Sequence, residues 1–275
     1  MLIRLLKGIR GAVAPTGQGD ARVLEEGIQA ARTGNVALAE ARFLAASEGQ
    51  EAGEALLYLA RLYATGGRLP EARSILERLI ENEPSNARGH ADLGNVCHLM
   101  ACPGEAKVAY ERALSLDPED AVTWNNLGVL HRDGGRWPEA RACFRRALKV
   151  EACFSDAIKN LAAARAEDDD ERLIRSIRER YPEFAPAAAS SGYLQLKRHF
   201  NAAAALPELE AARRLGLDEA DLHLNLGIAL QELGRPEEAI ASYSEALARD
   251  PGHIRARWHR SLALLLLGQI GRAHV

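Results

Sequence analysis

The sequence predicts an all-α chain of stacked helix pairs, and three observations carry that prediction. Hydrophobic residues make up 47% of the chain but aromatics only 5%, so the apolar fraction is mostly Ala and Leu, both strong helix formers. The text repeats every 34 residues: blocks starting at 53, 87 and 121 abut without a gap, and a fourth starts at 220. Within these blocks Ala60, Gly94, Gly128 and Gly227 fall in one register, and Ala72, Ala106, Ala140 and Ala239 in another. Two helices that cross closely need small side chains at the facing places.

Taken in order, the chain opens on "MLIRLLKGIRGAVAP", apolar with Arg4, Lys7 and Arg10 interleaved. Its apolar runs are too short for a signal sequence or a membrane span. A short capping helix is expected, with a helix lying on a membrane surface through residues 1–14 as the alternative. "PTGQGD" then reads as a linker, with Asp20 a candidate N-cap. In each regular block a first helix carries a large residue three before and four after Leu93, Leu127 or Leu226, on one face. Gly67, Gly135 and Gly234 end first helices where a left-handed residue is wanted. Pro70, Pro138 and Pro236 begin second helices, where a missing N–H costs nothing. Pro84, Pro118 and Pro251 stop the second helix from running into the next block. One pair cannot bury its apolar face alone, so stability must come from stacking.

These blocks resemble the tetratricopeptide repeat family. One copy reads Trp124, Leu127, Gly128, His131, Gly135, Ala140, Phe144, Ala147 at the family's spacing. Another reads His90, Leu93, Gly94, Cys97, Ala106, Tyr110, Ala113, Pro118, and a third His223, Leu226, Gly227, Leu230, Gly234, Ala239, Tyr243, Ala246, Pro251. The resemblance implies a right-handed superhelical solenoid of antiparallel helix pairs. In its register the chain divides into an N-terminal segment and linker at 1–19 and regular repeats at 20–52, 53–86, 87–120 and 121–154. Degenerate repeats follow at 155–185 and 186–219, then a regular one at 220–253 and a truncated one at 254–275, giving about seven full repeats. The fixed offsets put Ile174 and Tyr193 where small residues belong. A wider helix crossing, and a change of superhelical curvature, are therefore expected between 155 and 219. The acidic run Glu167 to Glu171 reads as a favourable helix N-terminus, with an exposed metal or partner site as the alternative.

The chemistry of the chain is mostly excluded by what it lacks. The net charge of −3 leaves no electrostatic footprint for nucleic acid. There is no phosphate-binding glycine loop, HExxH pair, GxSxG elbow or calcium loop. Cys97, Cys102, Cys143 and Cys153 show no CxxC spacing, which points to free thiols in a reducing compartment and a cytoplasmic protein. His98 and Cys102 sit four apart beside Cys97, but a fourth zinc ligand is not evident. His90, His131 and His223 fall at core positions and read as packing residues. No metal, cofactor or catalytic constellation is expected.

A binding surface remains. The family resemblance implies that first helices line a concave groove, with motif positions 2, 5, 6, 9, 12 and 13 facing inward. Position 6 holds Asp92, Asn126, Asn160 and Asn225, and position 9 adds Arg61 and Asn95; Asn125, Arg132 and Lys159 lie nearby, and Trp258 belongs to the last block. Recurring amides can hold an extended peptide backbone through paired donor and acceptor atoms. The arrangement resembles the asparagine ladder in the repeat arm of the O-linked N-acetylglucosamine transferases; Asn being merely common at position 6 is the alternative. The carboxylate clamp of the family's co-chaperones is not matched, because Ala91, Asp156 and Asn160 stand where cations are needed.

The last block receives only "QIGRAHV" for its second helix, leaving Trp258, Leu262, Leu265 and Leu266 uncovered, which suggests self-association through that end. Ile270 to Val275 reads as translated sequencing adapter, with the bacterial parent protein continuing beyond. The expected function is a protein-interaction scaffold binding an extended peptide or partner helix. The alternative is the N-terminal repeat arm of a glycosyltransferase or sulfotransferase. A third reading, a membrane-associated assembly factor, rests on residues 1–14.

Overall fold

The computed structural model describes residues 20–49 and 52–268; the expectations for residues 1–14 and 270–275 lie outside them. Among the described residues the chain forms fifteen α-helices and no strand. It divides into two compact units, one up to Gly134 and one from Gly135. The first unit holds α1 (Asp20–Arg32), α2 (Val36–Ala46), α3 (Ala52–Thr65), α4 (Leu69–Asn82), α5 (Ala87–Leu99), α6 (Pro103–Leu116) and α7 (Ala121–Asp133). The second holds α8 (Trp137–Val150), α9 (Ser155–Ala163), α10 (Asp168–Arg180), α11 (Ala185–Lys197), α12 (Ala202–Arg214), α13 (Ala220–Glu232), α14 (Pro236–Arg249) and α15 (Ile254–Leu266). No described helix is long and apolar enough to cross a membrane.

Local signals set the helix ends. Asn35, Asn86, Asp120 and Asn201 accept backbone N–H bonds at the starts of α2, α5, α7 and α12. Proline stands in the first two positions of α4, α6, α8, α11 and α14, where no N–H is required. Gly67 and Gly234 adopt φ of 79° and 72°, the left-handed turn that separates two antiparallel helices, and Gly135 has φ 73°.

The pairs are locked by close approach. A Cβ on Gly94 would lie 2.5 Å from Cδ1 of the Tyr110 ring, and one on Gly27 2.7 Å from the Phe43 ring. Gly227 meets the Tyr243 ring in the same way. In each case the ring on the second helix is buried, flanked by buried small residues four before and three after: Ala39 and Ala46, Ala106 and Ala113, Ala239 and Ala246. The first unit's core runs from Leu24 through Phe43 and Leu79 to Val96, with Phe43 stacked on Tyr58 at 5.6 Å. The second unit's core is centred on Leu209, Leu224, Leu226 and Tyr243.

The degenerate stretch corrects two sequence expectations. Ile174 does not occupy a small-residue place. The buried triad of α10 is Asp170, Ile174 and Ile177, with the spacing of Ala106, Tyr110 and Ala113. Ile174 therefore corresponds to the ring position, and the place of the alanine is taken by Asp170, which is 0% exposed. The fixed offset failed because α9 has only 9 residues, against 13 in α5 and α13, so α10 begins early. Tyr193 is not at the crossing either. Gly192 is, one residue earlier, with Cγ of Leu209 2.7 Å from where a Cβ would stand. The acidic run does start a helix: the Glu167 N–H donates to Asp170 at 2.7 Å. It also does more. Asp170 takes Nε of Arg145 at 2.5 Å and lies 3.4 Å from Nε of Arg141, both from α8, while Arg141 also holds Glu167. That pairing holds the Arg145 guanidinium above its ordinary pKa.

Three substitutions test these contacts. Gly94→Ala forces the ring of Tyr110 to shift in a filled core and lowers unfolding free energy by about 1–3 kcal/mol in urea titration. Gly104→Ala, where a Cβ meets nothing within 4 Å, is neutral or stabilising. Asp170→Ala restores the small residue yet takes the acid from Arg145 and leaves buried Arg141 with Glu167 alone, and destabilises by about 3 kcal/mol. A stabilised Asp170→Ala variant in the same titration would show that the ion cluster is dispensable.

Candidate peptide-binding groove

The first helix of each pair carries the residues expected to face the groove, and the two units treat them differently. In the first unit they bind one another. Nε of Arg61 on α3 donates to Asp92 Oδ2 on α5 at 2.7 Å, with both side chains largely buried. Asn95 Oδ1 accepts from Tyr110 Oη at 2.8 Å and from Asn126 Nδ2 on α7 at 2.9 Å, while the Asn95 amide reaches back toward Asp92 at 3.5 Å. Burial works against the Arg61 charge, but Asp92 outweighs it, so the guanidinium is held above its ordinary pKa. Burial also pushes the Tyr110 hydroxyl well up, keeping it a neutral donor. Asn125 is buried in α7, and Arg132 donates to its neighbour Asp133 at 3.0 Å. The amide ladder of this unit is therefore largely spent on joining successive repeats.

In the second unit the equivalent faces enclose a cavity of about 330 Å³. Lys159 and Asn160 come from α9, Ser190 and Tyr193 from α11, Asp221 and Asn225 from α13, and Arg255 from α15, over an apolar floor that includes Ala163, Leu209 and Leu222. The wall residues repeat because positions one turn apart share a helix face, as with Asp221 and Asn225. Lys159 bonds both carboxylate oxygens of Glu219 at 2.6 Å. Asp221 lies 3.2 Å from His253. Among the described residues, Ser190, Tyr193, Asn225 and Arg255 have no hydrogen-bond or ion-pair partner. Ser190 is nevertheless 4% exposed. Sequence reading found Lys159, Asn160 and Asn225 but missed Ser190, Tyr193 and Arg255. Arg255 stands at the second position of its block, which the groove rule already marks as inward.

Trp258 is not in the cavity wall. It is 60% exposed on α15, its ring edge against His259 at 4.8 Å. His259 in turn stacks on Tyr243 at 5.5 Å. Burial, then Arg255 and Lys197, hold the His259 imidazole below its ordinary pKa. Lys197 is lowered by burial and by Arg255, with Glu232 opposing. Among the described residues no three His, Cys, Asp or Glu side chains gather as a metal site, and His98 pairs with Asp133 at 3.2 Å.

Helix pairs of near-constant length, crossing at a glycine and presenting polar residues along their first helices, define an all-α repeat protein. The tetratricopeptide repeat models match residues 24–97, 103–157 and 220–253, more than half of the chain. The chain belongs to the tetratricopeptide repeat family. It is 29% identical over 184 residues to the cellulose synthase operon protein C of Xanthomonas axonopodis pv. citri, covering 66% of this chain and 10% of that one. It is 26% identical over 110 residues to SPINDLY of Arabidopsis thaliana, a probable UDP-N-acetylglucosamine–peptide N-acetylglucosaminyltransferase, covering 40% of this chain and 12% of that one. The chain thus spans about a tenth of the length of these two relatives. The crystal structure of a tetratricopeptide repeat protein from Parabacteroides merdae is similar in fold, with a TM-score of 0.64 at 17% identity over 90% of this chain and all of that one.

Asn95 tests the self-spent ladder. Asn95→Ala removes the acceptor of both Tyr110 and Asn126 and lowers stability by about 2 kcal/mol, measured by urea unfolding. Asn126→Ala, which strands only one lone pair, costs less.

Proposed function

We propose that this chain is a non-catalytic, cytoplasmic interaction scaffold that takes an extended peptide along the first-helix face of its second unit. The observation that carries the reading is the cavity where Ser190, Tyr193 and Asn225 converge with unspent hydrogen-bonding capacity. Buried polar groups normally find partners, and a peptide backbone offers donors and acceptors at the right repeat. Asn160 and Lys159 extend the same wall on α9. Membership of the tetratricopeptide repeat family supports the assignment, and the free cysteines support a reducing compartment.

A second reading is kept because of the relatives: the repeats form the arm of a longer enzyme of glycosyltransferase type. SPINDLY is named as such an enzyme, and this chain matches only 12% of it. The groove would then select the substrate of a following domain. Reading the source gene past the codon for Gly268 separates the two.

The groove is tested with peptides selected by display against the chain. Asn225→Ala is expected to weaken the best binder by about tenfold in calorimetry, the loss of one or two hydrogen bonds. Asn126→Ala leaves affinity nearly unchanged, because that amide is engaged by Asn95. Selected peptides that bind Asn160→Ala and Asn225→Ala as well as the parent would place recognition on another surface.

A further inference from the structure

The outer face of α2 breaks the pattern of the other second helices. Ala37, Leu38, Ala41, Leu44 and Ala45 lie on one side of this helix, opposite buried Ala39, Phe43 and Ala46. All five are exposed, Leu38 to 41% and Leu44 to 46%. At the place of Leu38, α4, α6, α8 and α14 carry Glu71, Glu105, Glu139 and Glu238. At the place of Leu44, α4 and α6 carry Glu77 and Glu111. Val108 is exposed on α6, but between Glu105 and Glu111, and a single such residue is ordinary. A row of leucines and alanines in place of acids marks a face that is suited to being covered.

Area, charge and reach choose the cover. A helix of 11 residues is about 16 Å long. Two such faces fall well short of the roughly 800 Å² that each partner of a stable complex gives up. A second copy is therefore a poor occupant, and a tethered segment, which needs far less area, is a good one. The nineteen residues before α1 supply it. Leu2, Leu5, Leu6 and Ile9 recur at the spacing of one helix face, and Arg4, Lys7 and Arg10 are the only charged side chains among residues 1–14. Residues 20–49 carry five acids against three arginines, so this cationic segment meets an excess of the opposite sign, which would turn away an anionic membrane. α1 runs antiparallel to α2, with Gly27 against Phe43, so its start lies toward the end of α2. From there residues 15–19 extend up to about 17 Å, more than the width of a helix at about 10 Å. The exposed side of α1 is not a rival site, because it carries Arg22, Glu25, Gln29 and Arg32.

We propose that the apolar side of residues 1–14 folds back onto the outer face of α2 and covers Leu38 and Leu44, a contact that leaves the first-helix faces open. The test is limited trypsin cleavage of the full chain, read by mass spectrometry at Arg4, Lys7 and Arg10. A synthetic peptide of residues 1–14 sets the unprotected rate. Cleavage in the full chain is expected to be at least about tenfold slower, because it follows the population of the opened form. Leu38→Glu with Leu44→Glu should restore the rate of the peptide. These are the residues that α4 and α6 already carry at these places, so the helical circular dichroism stays intact. Leu5→Ser with Leu6→Ser, which alters no described helix, should restore the rate equally, and the four changes together should add nothing further. The proposal is overturned if the full chain is cut as fast as the peptide, or if protection survives either pair of substitutions. Protection that grows with protein concentration alongside a dimer in sedimentation gives the face to a second copy. Protection that appears only with phosphatidylglycerol vesicles gives the segment to a membrane, and either of these results also overturns the proposal.

Discussion

Everything in this chain depends on how near two helices can come. Gly27, Gly94, Gly192 and Gly227 leave no room for a methyl group, and a ring or leucine from the second helix fills the space instead. Three side chains at i, i+4 and i+7 on that second helix then form a small–large–small wedge. Dispersion contacts reward this only when the fit is tight, so the spacing between first and second helices becomes nearly constant. That constancy puts equivalent positions of successive first helices side by side. The polar ladder of the first unit and the cavity wall of the second are both products of it.

The fifth repeat shows how much the wedge tolerates. Asp170 replaces a small apolar residue with a longer side chain ending in a carboxylate, at the cost of desolvating a charge. Arg141 and Arg145 from the preceding second helix, together with the N–H of Glu167, supply the return. The substitution converts a packing contact into an electrostatic link between consecutive second helices, and it coincides with the shortest helix among the described residues, Ser155–Ala163. With that helix cut short, α9 rests broadly on α11 as well as on α10. The cavity lies along this modified stretch.

The fold was legible because its period is short and its signals agree: caps, prolines, left-handed glycines and small residues all mark the same register. Legibility failed where a constant offset was carried across a shortened helix, Ser155–Ala163. Ile174 and Tyr193 were placed by counting, whereas the buried spacing of Asp170, Ile174 and Ile177, and the glycine beside Tyr193, were already in the text. At the groove, residue types were legible and their engagement was not. Asn95 and Asn225 look alike in sequence, but one is bonded to Tyr110 and Asn126 and the other is open. That difference arises from pairs of side chains on neighbouring repeats, about 31 residues apart for Asn95 and Asn126, which no single motif encodes.

These separations also set an order of events during synthesis. Arg61 finds Asp92 31 residues later, and Arg145 finds Asp170 after 25, so each link can close as soon as the next repeat leaves the ribosome. The bond from Lys159 to Glu219 spans 60 residues and passes over an intervening helix pair. Until Glu219 emerges, Lys159 has no counter-charge from that side and the cavity has no far wall. The nascent chain therefore acquires its packed repeats one at a time, and its pocket late, as α13 and then α15 are added.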